Sequence, residues 1–124
     1  MHRHVSYSGA ISACVIMLAA CSPRNVSFSA DVQPILKQYC LECHVPGGAG
    51  YAASGFDMSS YAALMKGGKY GALVIPGDPL TSTLNMLVEG RADPSIHMPH
   101  GREKLSDRET EILSVWVHEG AKNN

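Results

Sequence analysis

Apolar residues recur at intervals of three and four along several stretches of this chain, and they seldom alternate. In "SADVQPILKQYC", Val32, Ile35, Leu36 and Tyr39 mark one face of a helix. Ser29 or Asp31 can cap it, and Pro34 is acceptable only in a first turn, which favours Asp31. A short helix over Tyr61 to Lys66 stops at Gly67-Gly68. "DPLTSTLNMLVEG" offers Asp78 as a cap, Pro79 in the first helical position, apolar Leu80, Leu84, Leu87 and Val88, and Gly90 as a stop. The clearest element is "LSDRETEILSVWVHEGA". There Ser106 and Glu109 pair as a capping box, Ile112, Leu113, Trp116 and Val117 line one face, and Gly120 ends the helix. Only "ALVI", Ala72 to Ile75, suggests a strand. The pattern predicts an all-α domain of short helices and glycine-rich loops.

The N-terminus breaks this pattern. Arg3 precedes an apolar run from Ala10 to Ala20, with small residues just before Cys21, which reads as an export signal over 1–20. The run is short for a bilayer span. Leu18-Ala19-Ala20-Cys21 resembles the lipobox of bacterial lipoproteins, in which Cys21 is lipidated after cleavage; the alternative is an ordinary cleavage site and a soluble periplasmic protein. Residues 21–27 then form a tether, and 28–124 one small domain. The expected location is the bacterial cell envelope, facing the periplasm, with Ser22 mildly favouring the outer membrane.

Composition changes little in this picture. The chain has 124 residues, 45% hydrophobic and 17% charged, which suits one globular domain. Loss of the first 20 residues leaves nine Lys and Arg against eleven Asp and Glu, so nothing points to nucleic acid. Of the four cysteines, Cys14 leaves with the signal and Cys21 is consumed, which excludes a disulfide framework and leaves Cys40 and Cys43.

Those two sit in "YCLECHVPGGAG". Cys40 and Cys43 are three apart and His44 follows in the same turn, an arrangement suited to c-type haem: two thioethers to one porphyrin edge, with an imidazole reaching the iron. A structural zinc site would need a second pair of ligands at suitable spacing, and a redox dithiol would need a βαβ setting; the chain offers neither. For the sixth position, Met98 lies 54 residues beyond His44, ahead of Pro99 in "PSIHMPHG". A residue before proline is pushed out of helical geometry, which suits a ligand carried on a loop. His97 and His100 flank it and remain alternatives, as does a vacant position. Met65 and Met86 read as core, Met58 as a weak loop candidate, and His118 as a helix-end residue.

Together "FSADVQPILKQYCLECH", "GFDMSSYAALMKGGKYGALVIPGDPLTSTL", "MPHG" and "LSDRETEILSVWVHEGA" resemble the planctomycete-type cytochrome c domain, a relative of class I cytochromes c. The resemblance implies one haem c on Cys40 and Cys43, axial His44 and Met98, N- and C-terminal helices packed beside the haem, and the "GGKYGALVIPGDP" segment wrapping one side. One departure is His100, where the family usually has a second proline, and it keeps bis-His ligation open. Ile35, Leu36, Leu113 and Trp116 are expected against the haem or in the helix interface.

The function expected from these readings is a membrane-tethered carrier of single electrons between unidentified redox proteins, with no small-molecule substrate. A rival is a haem enzyme or ligand sensor with an open or displaceable sixth position, using His97, His100 or Arg102 as polar groups. A third is an interaction lipoprotein that has lost its haem. Lys66 and Lys69 are a candidate basic docking spot.

Overall fold

The structure, a computed structural model, describes residues 25–124; the signal segment and Cys21 lie outside the described residues. Among the described residues there is no strand, only an isolated bridge between Gly68 and Gly71, and no helix is long and apolar enough to cross a membrane. The all-α expectation therefore stands, and "ALVI" is not a strand.

The chain enters through a π-helical turn, Phe28–Val32, that runs directly into α1, Gln33–Tyr39. Its cap is Ser27, whose hydroxyl accepts from the Ala30 N–H, while Asp31 accepts from the Ser27 N–H. The expected cap at Asp31 is thus displaced by one turn. A widened turn just ahead of Pro34 explains how the helix starts earlier than proline should permit, because a π-turn re-routes the hydrogen bonds that the ring would otherwise interrupt. Val26, assigned by sequence to the tether, is buried. Its N–H donates to Glu119 and its carbonyl accepts from Asn124, so the packed domain begins before residue 28.

Three short helices follow: α2, Ala49–Ser54, α3, Tyr61–Lys66, and α4, Thr83–Val88. Sequence reading missed α2 because its first turn lies among glycines and has no apolar stripe. The α4 helix starts four residues later than Pro79. Asp78 does cap, but its carboxylate closes a local turn by accepting from the Leu80 and Thr81 N–H groups. That turn leaves Leu80 73% exposed, so the apolar rhythm that suggested a longer helix does not represent core. A 3-10 turn, Pro94–Ile96, precedes α5, Asp107–His118, which carries the expected Ser106/Glu109 capping box.

The core forms where α5 meets the N-terminal turn and α4. Phe28 stacks edge-on to Tyr61 at 5.2 Å and tilts against Trp116 at 5.6 Å, and Leu36, Leu113 and Val117 fill the space beside them. Each such side chain contributes about 1.5–3 kcal/mol by leaving water. The buried indole N–H of Trp116 donates to the Lys122 carbonyl, and the Tyr61 hydroxyl to the Ala121 carbonyl, which fastens the chain after α5 onto the same core.

Candidate haem site

Beyond the C-terminal end of α1 the backbone keeps its winding for one more turn: the Cys40 N–H donates to the Leu36 carbonyl and the His44 N–H to the Cys40 carbonyl. This continuation, rather than a regular helix, brings Cys40, Cys43 and His44 to one side. The turn is clamped from both directions. The Tyr51 N–H of α2 donates to the Cys43 carbonyl at 2.9 Å, and the Met58 N–H donates to the His44 carbonyl at 2.8 Å. Glycine is obligatory at position 48, where a Cβ would lie 2.4 Å from the Cys43 carbonyl oxygen.

A cavity of about 660 Å³ opens over this turn. Cys40, Cys43 and His44 border it on one side; Leu73 and Leu84, Leu87 and Val88 of α4 add apolar walls, with Met98 and Pro99 also in the lining. Tyr70 and Ile96 line it too, yet are 79% and 50% exposed, so it reaches solvent on their side. The wall segment 68–73 is shaped by glycine: Gly67, at φ +77°, approaches the Gly71 carbonyl so closely that a Cβ would sit 2.3 Å from its oxygen. Lys69 belongs to this framework, because its ammonium donates to the Ala52 carbonyl at 2.6 Å and ties down the end of α2.

His44 is buried, 8% exposed, and desolvation pushes its imidazole below the ordinary value even though the nearby Phe56 carbonyl acts the other way. The ring is accordingly neutral, the form that donates to a metal. Its Nδ1 is buried without a hydrogen-bond partner, so the Phe56 carbonyl biases the ring without satisfying it. The ring rests on Gly50, whose missing side chain leaves it room. Burial also pushes the Cys40 thiol up to about 11, against the opposing pull of the Arg102 guanidinium. Both Cys40 and Cys43 are free thiols.

The sequence candidates separate cleanly in space. Met98 lines the cavity, with its N–H held by the Leu87 carbonyl at 3.2 Å. His100 also borders it but is an exposed residue. His97 does not reach it: its ring packs against Gly90 outside the cavity, with Nε2 buried and unpaired. His118 is exposed at the end of α5, away from the cavity. Ile35, Leu36 and Trp116, expected against the haem or in the helix interface, are buried but none borders the cavity; they belong to the hydrophobic core instead. The reason is register. Tyr39 and Cys40 share the helix face of Ile35 and Leu36 but lie four residues further on, about 6 Å along the axis, and only that last turn meets the cavity. Sequence reading undervalued Met58, which is buried and part of the lining. Its signal was alternation with Phe56, two residues earlier in an extended segment.

The donor set fits haem. The cavity is apolar and of cofactor size, and two free thiols and a neutral imidazole stand side by side at its wall. Among the described residues no group of three or more His, Cys, Asp or Glu side chains is placed to hold a bare metal ion. A helical domain with this arrangement is a c-type cytochrome domain. Residues 40–100 match the family model for planctomycete cytochrome C, which marks this stretch as a domain of that type. No curated protein and no solved structure matches the chain. Domains of this family bind haem c covalently, and Cys40 and Cys43 are the thiols available to do so here.

Proposed function

We propose that this domain carries single electrons, with His44 and Met98 as the axial donors to its haem iron. Haem supplies the Fe(II)/Fe(III) couple; the chain supplies its attachment, its two ligands and its dry surroundings. The observation that carries this reading is the meeting of His44 and Met98 in the lining of one apolar cavity, although they are 54 residues apart in sequence. A thioether is a soft donor that favours ferrous iron and so raises the potential relative to two imidazoles. Apolar walls act in the same direction, by disfavouring the extra charge of the ferric state. With both positions filled by the chain, no site remains for a substrate, and the partners are redox proteins.

His100 supports a second reading, bis-His ligation or an opened sixth position serving a haem enzyme or ligand sensor, because it too borders the cavity. The deciding experiment compares absorption and magnetic circular dichroism of the ferric holoprotein with Met98→Ala. A far-red sulfur-to-iron charge-transfer band that vanishes in the variant supports the carrier. Absence of that band, with the variant unchanged, transfers the sixth position to a histidine or leaves it open.

The domain is further proposed to act from a membrane surface in the bacterial envelope, held by lipid on Cys21 and facing the periplasm. The lipobox-like Leu18 to Cys21 supports this, and more than one acyl chain on the cysteine would make attachment stable. Labelling with radioactive palmitate should be lost in Cys21→Ser; an unlabelled native protein would make it a soluble periplasmic one.

A further inference from the structure

Two ion pairs occur among the described residues, and they differ in kind. Arg91 and Glu89 are neighbours on one chain segment. Arg102 and Glu42 are 60 residues apart, with Nη1 donating to Oε2 at 2.6 Å. Glu42 is one of the two residues between Cys40 and Cys43, and Arg102 lies four residues beyond Met98. The pair therefore joins the segment that holds one side of the haem site to the segment that holds the other, and Arg102 itself lines the cavity.

The stretch after Met98 has little else to hold it. Pro99 and Leu105 are buried at its ends, but among the described residues no backbone group from 99 to 105 hydrogen-bonds to another element. Between those ends, and among the described residues, Arg102 is the only side chain with a hydrogen bond to another part of the chain. We propose that the Arg102–Glu42 ion pair is a clamp that presses the Met98 segment toward the cysteine turn, and so sets how often the sixth axial position opens to an outside ligand. Arg102 and Glu42 are thus positioning residues for Met98. The proposal rests on Met98 being the sixth ligand.

Both side chains are partly in water, 41% and 73% exposed, so the clamp is a tuning device and not a lock. Exposed pairs are weak enough that losing one should change an opening equilibrium by about two- to five-fold. Such a pair also fades in concentrated salt, where the screening length falls to about 3 Å.

The test is imidazole binding to the ferric holoprotein by stopped flow. At saturating imidazole the rate no longer depends on ligand and reports departure of Met98. Glu42→Gln and Arg102→Gln should each raise that limiting rate by about two- to five-fold, with the effect of the two together no larger than either alone. The charge-exchanged protein, Glu42→Arg with Arg102→Glu, should return toward the native rate, and Arg102→Lys should stay within about two-fold of it. In 1 M salt the native protein should approach the variants. If Glu42→Gln leaves the rate unchanged, or the single effects add independently, the clamp is refuted, and Arg102 then acts on something other than Glu42, such as a haem propionate. If the native protein shows no far-red sulfur band and no rate plateau, Met98 ligation has failed first and the clamp falls with it. The native spectrum alone tells these two failures apart.

Discussion

Substituting Gly50 by alanine sets two effects of known sign against each other. Gly50 lies in α2 with an ordinary helical backbone, where alanine is preferred over glycine by about 0.8–1.0 kcal/mol. Against that gain, the added Cβ would stand 2.7 Å from His44 Cε1, 2.8 Å from Nε2 and 3.0 Å from the Cys43 carbonyl oxygen. Ordinary contact begins near 3.4 Å, so the imidazole must retreat by about 0.7 Å while the Cys43 carbonyl blocks a shift of the helix. Overfilling of this kind costs about 1–3 kcal/mol, so overpacking wins by about 0–2 kcal/mol. In a domain of this size that lowers Tm by up to about 15 °C. The displaced ring should be visible independently of stability, as a changed Soret position and altered magnetic circular dichroism in the holoprotein. Ala52→Gly, at an exposed position in the same helix, measures the propensity effect alone. A Gly50→Ala protein that melts higher, by the amount Ala52→Gly melts lower, with an unaltered haem spectrum, would refute the view that His44 is seated on Gly50.

Two further outcomes follow from the titrating groups. Burial would raise the Glu109 carboxyl, but hydrogen bonds from Ser106 and Tyr39 outweigh it and hold the group below its ordinary value of 4.5. Its folded value is thus lower than its unfolded one, so the stability it contributes is present above pH 4.5 and is lost as pH falls through the folded value. Native protein should melt higher than Glu109→Gln at pH 7, and the two should converge in acid; a gap independent of pH would contradict this. The Cys40 thiol, pushed to about 11 from an ordinary 9.0, has its thiolate population cut by about 100-fold near neutral pH. In the folded, haem-free protein Cys40 should resist iodoacetamide far longer than it does in denaturant, measured by mass spectrometry of the labelled peptides; equal rates in the two states would show that burial does not protect it.

Much of the haem site was legible in sequence, because its chemistry is local. Cys40, Cys43 and His44 share one turn, and a single backbone winding brings them together whatever the rest of the chain does. The α5 helix was equally plain, since Ser106, Glu109 and a regular apolar stripe all act within twelve residues. Local signals misled where they competed. Asp78 and Pro79 announce a helix but close a turn, and Ser27 displaces Asp31 as a cap because a π-turn ahead of Pro34 frees the helix from the expected start.

What the sequence alone determined is the attachment turn, the helical class and the presence of one methionine on a loop suited to face it. Tertiary structure decided which side chains share the cavity. It placed Ile35, Leu36 and Trp116 in the core, with the cavity beginning one turn beyond the first two, and it left His97 outside by packing its ring against Gly90. It brought Met58 in and set Arg102 on Glu42. These outcomes depend on how segments dozens of residues apart settle against one another, and spacing along the chain carries no record of that distance.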